Sequence, residues 1–347
     1  MAVEDEPHLI NDSGATPGAG RRFSPEELVA CEGCRRANPP TRMSCLYCGA
    51  KLPLTETSAA LRRPVLRPLE EWEQGHNVVL LPGGPPASPQ TIDAAAELLH
   101  FAAPRLIEAV DSREALPIAR AASAEEAKLI EERLDALGFN VLVVADDELA
   151  EEAGPTRRVR KLEFTEDVLR AWTSGGEQAS APWGDVVLIA AGRIKTKRVE
   201  VEERSGRVRP GVEVVDAREI FADEAALEIH TARDAAGWRI MSGSFDYTCL
   251  GARMGVLALR NFETLIGELR ARATGAAFDG GYNRLRHLLS AAWPLAEREE
   301  SGGLRRERPG KFNAEAVTVV SNDAQFTRYV RLRRLLELRR RTTDVSA

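Results

Sequence analysis

The stretch APWGDVVLIAAGRIKTKRVEVEE, residues 181–203, sets an unbroken apolar run ahead of a basic one in which charged and apolar residues intermingle. The apolar part is strand-sized, far short of the roughly 18 residues that a membrane-spanning helix needs. The basic part, with Arg193, Lys195, Lys197 and Arg198, reads as strand that exposes alternate side chains, as an edge strand does. A chain organised around this stretch is β-rich at its centre.

Its neighbours agree. RRVRKLEF (157–164), DVLRAWTS (167–174), RPGVEVVDAREIF (209–221), AALEIHTA (225–232) and GWRIMSGSFDYTCL (237–250) are punctuated by SGGE, RSGR and DAAG, the turn clusters that join antiparallel strands. LRNFETLIGELRARA (259–273) then switches to helical spacing, with Phe262, Leu265, Ile266 and Leu269 facing inward. The rhythm of Leu162, Phe164, Trp183, Asp185, Val186, Leu188 and Ile189, closed by one helix, resembles bacterial PH-like domains. The resemblance implies a bent antiparallel sheet over 157–273 whose helix plugs one end. Two readings of the GRIKTKR cations stay open, a site for acidic headgroups or an exposed edge.

Upstream, strands and helices alternate. HNVVLLPG (76–83), EALPIARAA (114–122) and FNVLVVADD (139–147) read as strands. SPQTIDAAAELLHF (88–101) is a helix capped by Ser88, with Ile92, Ala96 and Leu99 on one face. SAEEAKLIEERLDALG (123–138) is a second, with Ser123 as cap, Glu126 as its capping partner, Ala127, Ile130, Leu134 and Leu137 inward, and Gly138 as stop. This order resembles the C-terminal domain of the ribosomal stalk protein and the related protease-adaptor fold, which implies a small protein-binding α/β sandwich over 76–150.

Near the N-terminus, CEGCRRANPPTRMSCLYCGAKL (31–52) holds four of the five cysteines as Cys31/Cys34 and Cys45/Cys48. The ten residues between the pairs are chain enough to bring both around one tetrahedral ion. Four thiolates close the shell, leaving no position for water or substrate, so a bound Zn2+ would be structural. Arg35, Arg36, Arg42 and Lys51 offset the negative charge of such a cluster. The competing redox reading lacks a flanking βαβ unit and leaves the second pair without a role. With Asn38, these cysteines resemble RanBP2-type and related zinc-ribbon fingers over residues 28–54. Where RNA- and ubiquitin-binding members carry a Trp before the first cysteine and the ubiquitin binders a Thr-Phe after the second, this chain has Val29 and Arg35-Arg36. The implied relative is therefore the generic ribbon appended to bacterial proteins.

Bulk composition bounds the rest. With 347 residues, 44% apolar and 29% charged, the chain is sized for two or three globular domains at about 150 residues each. A net charge of -6 provides no global basic field for nucleic acid. The acidic, polar start MAVEDEPHLINDSGATPGAG does not read as a secretory signal, and clustered cysteines fit a reducing, cytoplasmic setting. The expected fold class is α+β multidomain: tail 1–23, zinc ribbon 24–54 opened by a capping box at Ser24 and Glu27, linker 55–75, α/β sandwich 76–150, PH-like domain 157–273, and a helical basic region 276–347 with one short β-type run, AEAVTVV.

Chemistry-bearing residues are sparse. His8, His76, His100, His230 and His287 are scattered, with His230 expected as a strand residue, and Cys249 as a small buried side chain. Asp146-Asp147 and Glu202-Glu203 read as solvated charge, since adjacent residues diverge. LLPGGPPASP and GAAFDGGYNRL lack the Gly-Lys-Ser/Thr ending of a phosphate loop. No catalytic constellation emerges, so the expected function is a non-catalytic interaction protein whose partner is another protein. The alternatives are an enzyme with an unrecognised site, and nucleic-acid binding through the ribbon and Arg328, Arg331, Arg333, Arg334, Arg339, Arg340 and Arg341 of the last helix. A further basic cluster, Arg305, Arg306, Arg308 and Lys311, is expected in a loop, and a membrane surface is not an expected partner.

Overall fold

The computed structural model describes residues 23–53, 58, 64, 66–70, 73–150, 155–205, 212–234, 236–308 and 311–346. The expected tail and much of the expected linker lie outside them. The chain forms two compact units, dividing between Arg63 and Pro64.

The first unit is small. A single 3-10 turn, Pro25–Glu27, starts where the Ser24 amide donates to the Glu27 carboxylate at 2.7 Å, the backbone half of the expected capping box. Strands β1 (Val29–Ala30) and β2 (Ala37–Asn38) pair antiparallel, and Ser44 bridges Lys51. Val29, Cys31, Cys45 and Leu52 are its buried centre, a core far too small to fold such a segment without a staple.

The second unit begins with a three-stranded sheet, β3 (His76–Leu80), β4 (Leu116–Ala121) and β5 (Val141–Ala145), with β3 in the middle and antiparallel to both. Helix α1 (Pro89–Leu99) is capped as expected, Ser88 Oγ accepting from the Thr91 amide at 3.2 Å. Helix α2 (Ala103–Asp111) was not expected; it opens on Ala103-Pro104, with proline where its missing N–H costs nothing. In α3 (Ala124–Ala136) Ser123 accepts from Glu126, while the Glu126 carboxylate reaches the amides of Ala122 and Leu66. Gly138 stops it at φ +87°. A short helix α4 (Asp146–Ala150) follows β5.

The second layer is a large sheet. Its strands are β6 (Arg157–Phe164), β7 (Val168–Thr173), β8 (Gln178–Pro182), β9 (Val186–Ser205), β10 (Val212–Thr231) and β11 (Trp238–Met241), followed by β12 (Ala277–Asp279), β13 (Ala296–Arg308) and β14 (Lys311–Ser321). The order is β13-β14-β9-β10-β11-β6-β7-β8, with β12 beside the start of β9; β11–β6 and β12–β9 are parallel and the other pairs antiparallel.

Val186 to Ala190 are all buried because both faces of β9 are covered there. Helix α5 (Ala258–Arg272) packs Phe262, Leu265 and Leu269 on one face with Ile189, Leu227 and Ile229. On the other, α6 (Tyr282–Leu289) and α7 (Asp323–Ser346) cover Leu188 and Ala190 with Tyr282, Phe326 and Tyr329. This second core is continuous with that of the three-stranded sheet, taking in Val78, Leu116 and Ile130. At Gly192 β9 lies close against α7, since a Cβ there would come within 2.5 Å of the Phe326 ring.

Residues 296–321, expected to be helix and loop apart from AEAVTVV, instead form the β13–β14 hairpin. The basic cluster of Arg305, Arg306, Arg308 and Lys311 therefore lies on strands, with 309–310 outside the described residues. Pairing with β14, itself laid along residues 196–203 of β9, overrides the poor strand propensity of AEREESGGLRRER.

Candidate metal centre

Both C-x-x-C pairs form the same turn. The Arg35 amide donates to the Cys31 carbonyl at 2.7 Å, and the Gly49 amide to the Cys45 carbonyl at 3.0 Å. Arg35 (φ +58°) and Gly49 (φ +73°) follow the second cysteine of their pairs, so the left-handed residue falls at matching places. Glycine adopts it without strain; arginine is held there by the fold.

The turns bring four sulfurs together. All four Sγ atoms lie within 4.8 Å of one another, with Cys31–Cys48 at 3.6 Å and Cys34–Cys45 at 3.5 Å. Those separations are too long for disulfides, and the thiols are free. A tetrahedral ion with metal–sulfur bonds of about 2.3 Å sets sulfurs about 3.8 Å apart, which these positions bracket. The residues present therefore fit a metal ion and offer sulfur alone as ligand.

Asn38, fully buried, ties the two turns. Its Nδ2 donates to the Arg36 carbonyl at 2.8 Å and to Cys45 Sγ at 3.4 Å, and its Oδ1 accepts from the Leu46 amide at 2.9 Å. The Tyr47 amide adds a second N–H···S contact to Cys45 at 3.4 Å. Burial alone would raise the Cys45 thiol, but the Tyr47 and Cys48 amides and Asn38 bring it down to about 6. At Cys48 the Ala50 amide favours the thiolate, yet the crowding sulfurs push the thiol up to about 12. Four thiolates cannot crowd together without a cation among them.

The other expected positions lie in the second unit. Among the last-helix arginines, Arg333 pairs with Asp279 (2.6 Å) and Glu114 (3.1 Å), and Arg339 with Glu148 (2.6 Å). Arg334 donates to the carbonyls of Thr231 and Ala232, and Arg340 and Arg341 both reach Glu337 at 2.9 Å. Arg328 and Arg331 are half-buried and engaged as well. Arg333, Arg334, Arg339 and, through the carbonyls of Val187 and Gly275, Arg341 fasten α7 to other elements, while the Arg340–Glu337 pair lies within the helix. In the GRIKTKR segment, Arg193 and Lys195 meet Asp223, Lys197 meets Glu219 and Arg198 meets Glu200, so cross-strand and same-strand acids balance the basic strand.

Asp146 is corrected by the structure: it is buried, not solvated, and accepts from Gly75, Asn77 and Arg120. A polar chain continues from there through the layers. Trp293 Nε1 donates to Asn77 (2.8 Å), Gln325 Nε2 to the Trp293 carbonyl (2.7 Å), and Tyr282 Oη to Gln325 (3.0 Å).

A second buried cluster had no sequence signal beyond the period-two spacing of Glu228 and His230. Both are fully buried on β10 with His230 Nε2 2.7 Å from Glu228, while Arg239 on β11 donates Nε to Glu228 at 2.8 Å and also pairs with Asp323 of α7. Burial by itself would raise the Glu228 carboxyl, but the His230 hydrogen bond and the Arg239 charge outweigh it and hold the group below its usual range. His230 Nδ1 has no hydrogen-bond partner among the described residues. Gly237 at φ +71° packs against the ring, where a Cβ would come within 2.4 Å, so no space for a substrate adjoins it on that side.

Cys249 is half-buried, and burial raises its thiol to about 11, the opposite of an activated nucleophile. The LLPGGPPASP loop borders a cleft of about 480 Å³ together with Val110, Arg113 and Asn140. No helix among the described residues is long and apolar enough to cross a membrane. Comparison of the chain with protein-family models, with curated proteins and with solved structures finds no match.

Proposed function

We propose that the protein is a non-catalytic interaction protein of the cytoplasm, whose N-terminal ribbon is folded by one structural zinc ion on Cys31, Cys34, Cys45 and Cys48. The observation that carries this reading is the all-sulfur donor set, with its four Sγ atoms within 4.8 Å and its hydrogen bonds from Asn38 and Tyr47. Zinc suits it because soft thiolates in a tetrahedron match its preferences, and a closed shell leaves folding as its contribution.

The ribbon supplies a surface for a protein partner. Leu46 and Tyr47, between two of the ligands, are 54% and 56% exposed, and the Arg36 guanidinium sits 4.8 Å from the Tyr47 ring centre. An aromatic with an arginine stacked on it is a common anchor at protein interfaces. The likenesses to zinc-ribbon fingers, to the stalk-protein and adaptor fold, and to PH-like domains belong to this reading. They are supported by the paired turns, by the central β3 of the three-stranded sheet, and by the packing of α5 on one face of the strands of 157–241.

The test is metal content of the full chain against a Cys31→Ser/Cys45→Ser variant. One zinc per chain, lost in the variant while the melting temperature of the second unit stays put, supports the reading. A metal-free wild type with ordered ribbon resonances would end it.

A further inference from the structure

Residues 251–260, Gly-Ala-Arg-Met-Gly-Val-Leu-Ala-Leu-Arg, link a 3-10 segment to α5, and every one of them is exposed. Met254 is 49% exposed, Leu259 54%, Leu257 60% and Val256 100%. Elsewhere among the described residues the large exposed apolar side chains occur singly or as sequence pairs; here four fall within six residues.

The run is held in shape. Asn261, itself buried, donates Nδ2 to the Gly255 carbonyl at 2.9 Å and accepts the Gly255 amide at 2.7 Å, and Arg253 pairs with Glu268 of α5. A buried amide is thus committed to presenting an apolar tip to solvent. Preorganisation of that kind removes the ordering cost from a later binding step.

The chemistry of the tip selects its partner. From Gly251 to Phe262 there is no acidic residue, while Arg253 and Arg260 bracket the apolar side chains. The Arg260 guanidinium has no ion-pair partner among the described residues. Helix α5 starts at Ala258, and its N-cap residue Leu257 offers no side-chain cap, which adds the partial positive charge of its N-terminus. Ten successive exposed residues send side chains outward in several directions. A protein groove covers one side of such a loop, whereas a lipid interface surrounds it and offers anionic headgroups to the flanking cations.

We infer that the 251–260 tip inserts into the interface of an anionic bilayer, with Met254, Val256, Leu257 and Leu259 at the acyl boundary and Arg260 among the phosphates. The sequence suggests a membrane surface only at its basic segments, and run length bears only on a spanning helix, so a six-residue apolar tip registers in neither. Four side chains make the attachment reversible.

Co-sedimentation of the full chain with vesicles of equal parts phosphatidylglycerol and phosphatidylcholine, or of phosphatidylcholine alone, tests it. Wild type is expected to bind the anionic vesicles, Val256→Ser/Leu257→Ser to bind about tenfold less, and Arg260→Glu to lose the preference for anionic lipid. Because these side chains are exposed, the variants should keep the wild-type melting temperature. In Val256→Trp, adding vesicles should shift the emission to the blue. Absence of binding, equal binding by wild type and the serine variant, or a wild-type dimer that the serine variant abolishes would overturn the inference, the last by showing that a second copy covers the tip.

Discussion

Replacing Asp146 with alanine removes the centre of a buried polar cluster. Its carboxylate accepts from the Gly75 amide, from Asn77 Nδ2 and from Arg120 Nε, each at 2.9 Å, and the Arg120 and Asp146 side chains are only 7% and 9% exposed. In the variant Arg120 keeps the Glu73 carbonyl at 2.7 Å but loses its counter-charge, and the Gly75 amide loses its acceptor. Breaking one side of a buried ion pair costs about 3–5 kcal/mol, and an orphaned amide adds about 1 kcal/mol. Against a total stability of about 5–15 kcal/mol, that corresponds to a fall in melting temperature of roughly 10–20 °C. Thermal melts followed by circular dichroism and by tryptophan fluorescence would measure it, Trp293 contributing to the second signal through its bond to Asn77 in the same cluster. Arg120→Met/Asp146→Leu, which removes both charges, should recover most of the loss. A fall of less than about 3 °C for Asp146→Ala would show that Arg120 is solvated and the reasoning wrong.

Three further outcomes follow from other contacts. Glu228 is held below its usual value of 4.5, so its ionised form contributes stability that is fully present above about pH 4.5 and lost as pH falls through the depressed folded value. The melting-temperature gap between wild type and Glu228→Gln should therefore be widest near neutrality and narrow on acidification; a constant gap would contradict this. Gly237→Ala combines left-handed backbone strain with a clash against His230, together roughly 2–5 kcal/mol, whereas Gly176→Ala at φ +82° meets no neighbour and should cost only about 1–2 kcal/mol in urea denaturation. Asn38→Ala, which strips a hydrogen bond from Cys45 and unties the two turns, should weaken metal binding about 10- to 100-fold in a chelator competition.

Signals written in local chemistry were legible. Ser88 and Ser123 cap the helices they introduce, Gly138 ends one in the left-handed conformation, and VVLIA of the DVVLIAAG run is strand covered on both faces. The cysteine pairs drew attention to themselves by spacing, and the sulfurs meet. Features decided by distant partners were not legible. AEREESGGLRRER is a strand because β14 pairs it, and Asp146 is buried because Arg120, 26 residues earlier, crosses β3 to reach it. For the same reason Arg333 and Arg339 of α7 read as part of a basic face, while their acids are supplied by Glu114, Asp279 and Glu148 from other elements. The Glu228–His230–Arg239 cluster needed β11 beside β10 and α7 above both before its pieces could be joined.

The structural role proposed for the ribbon requires a closed, all-sulfur metal shell. X-ray absorption at the zinc edge of the purified chain would measure it. Four sulfur neighbours at about 2.3 Å, with no oxygen or nitrogen in the shell, is the result expected from the sulfur geometry. A shell containing water or nitrogen, or a protein that carries no zinc, would contradict the claim that this metal serves structure alone.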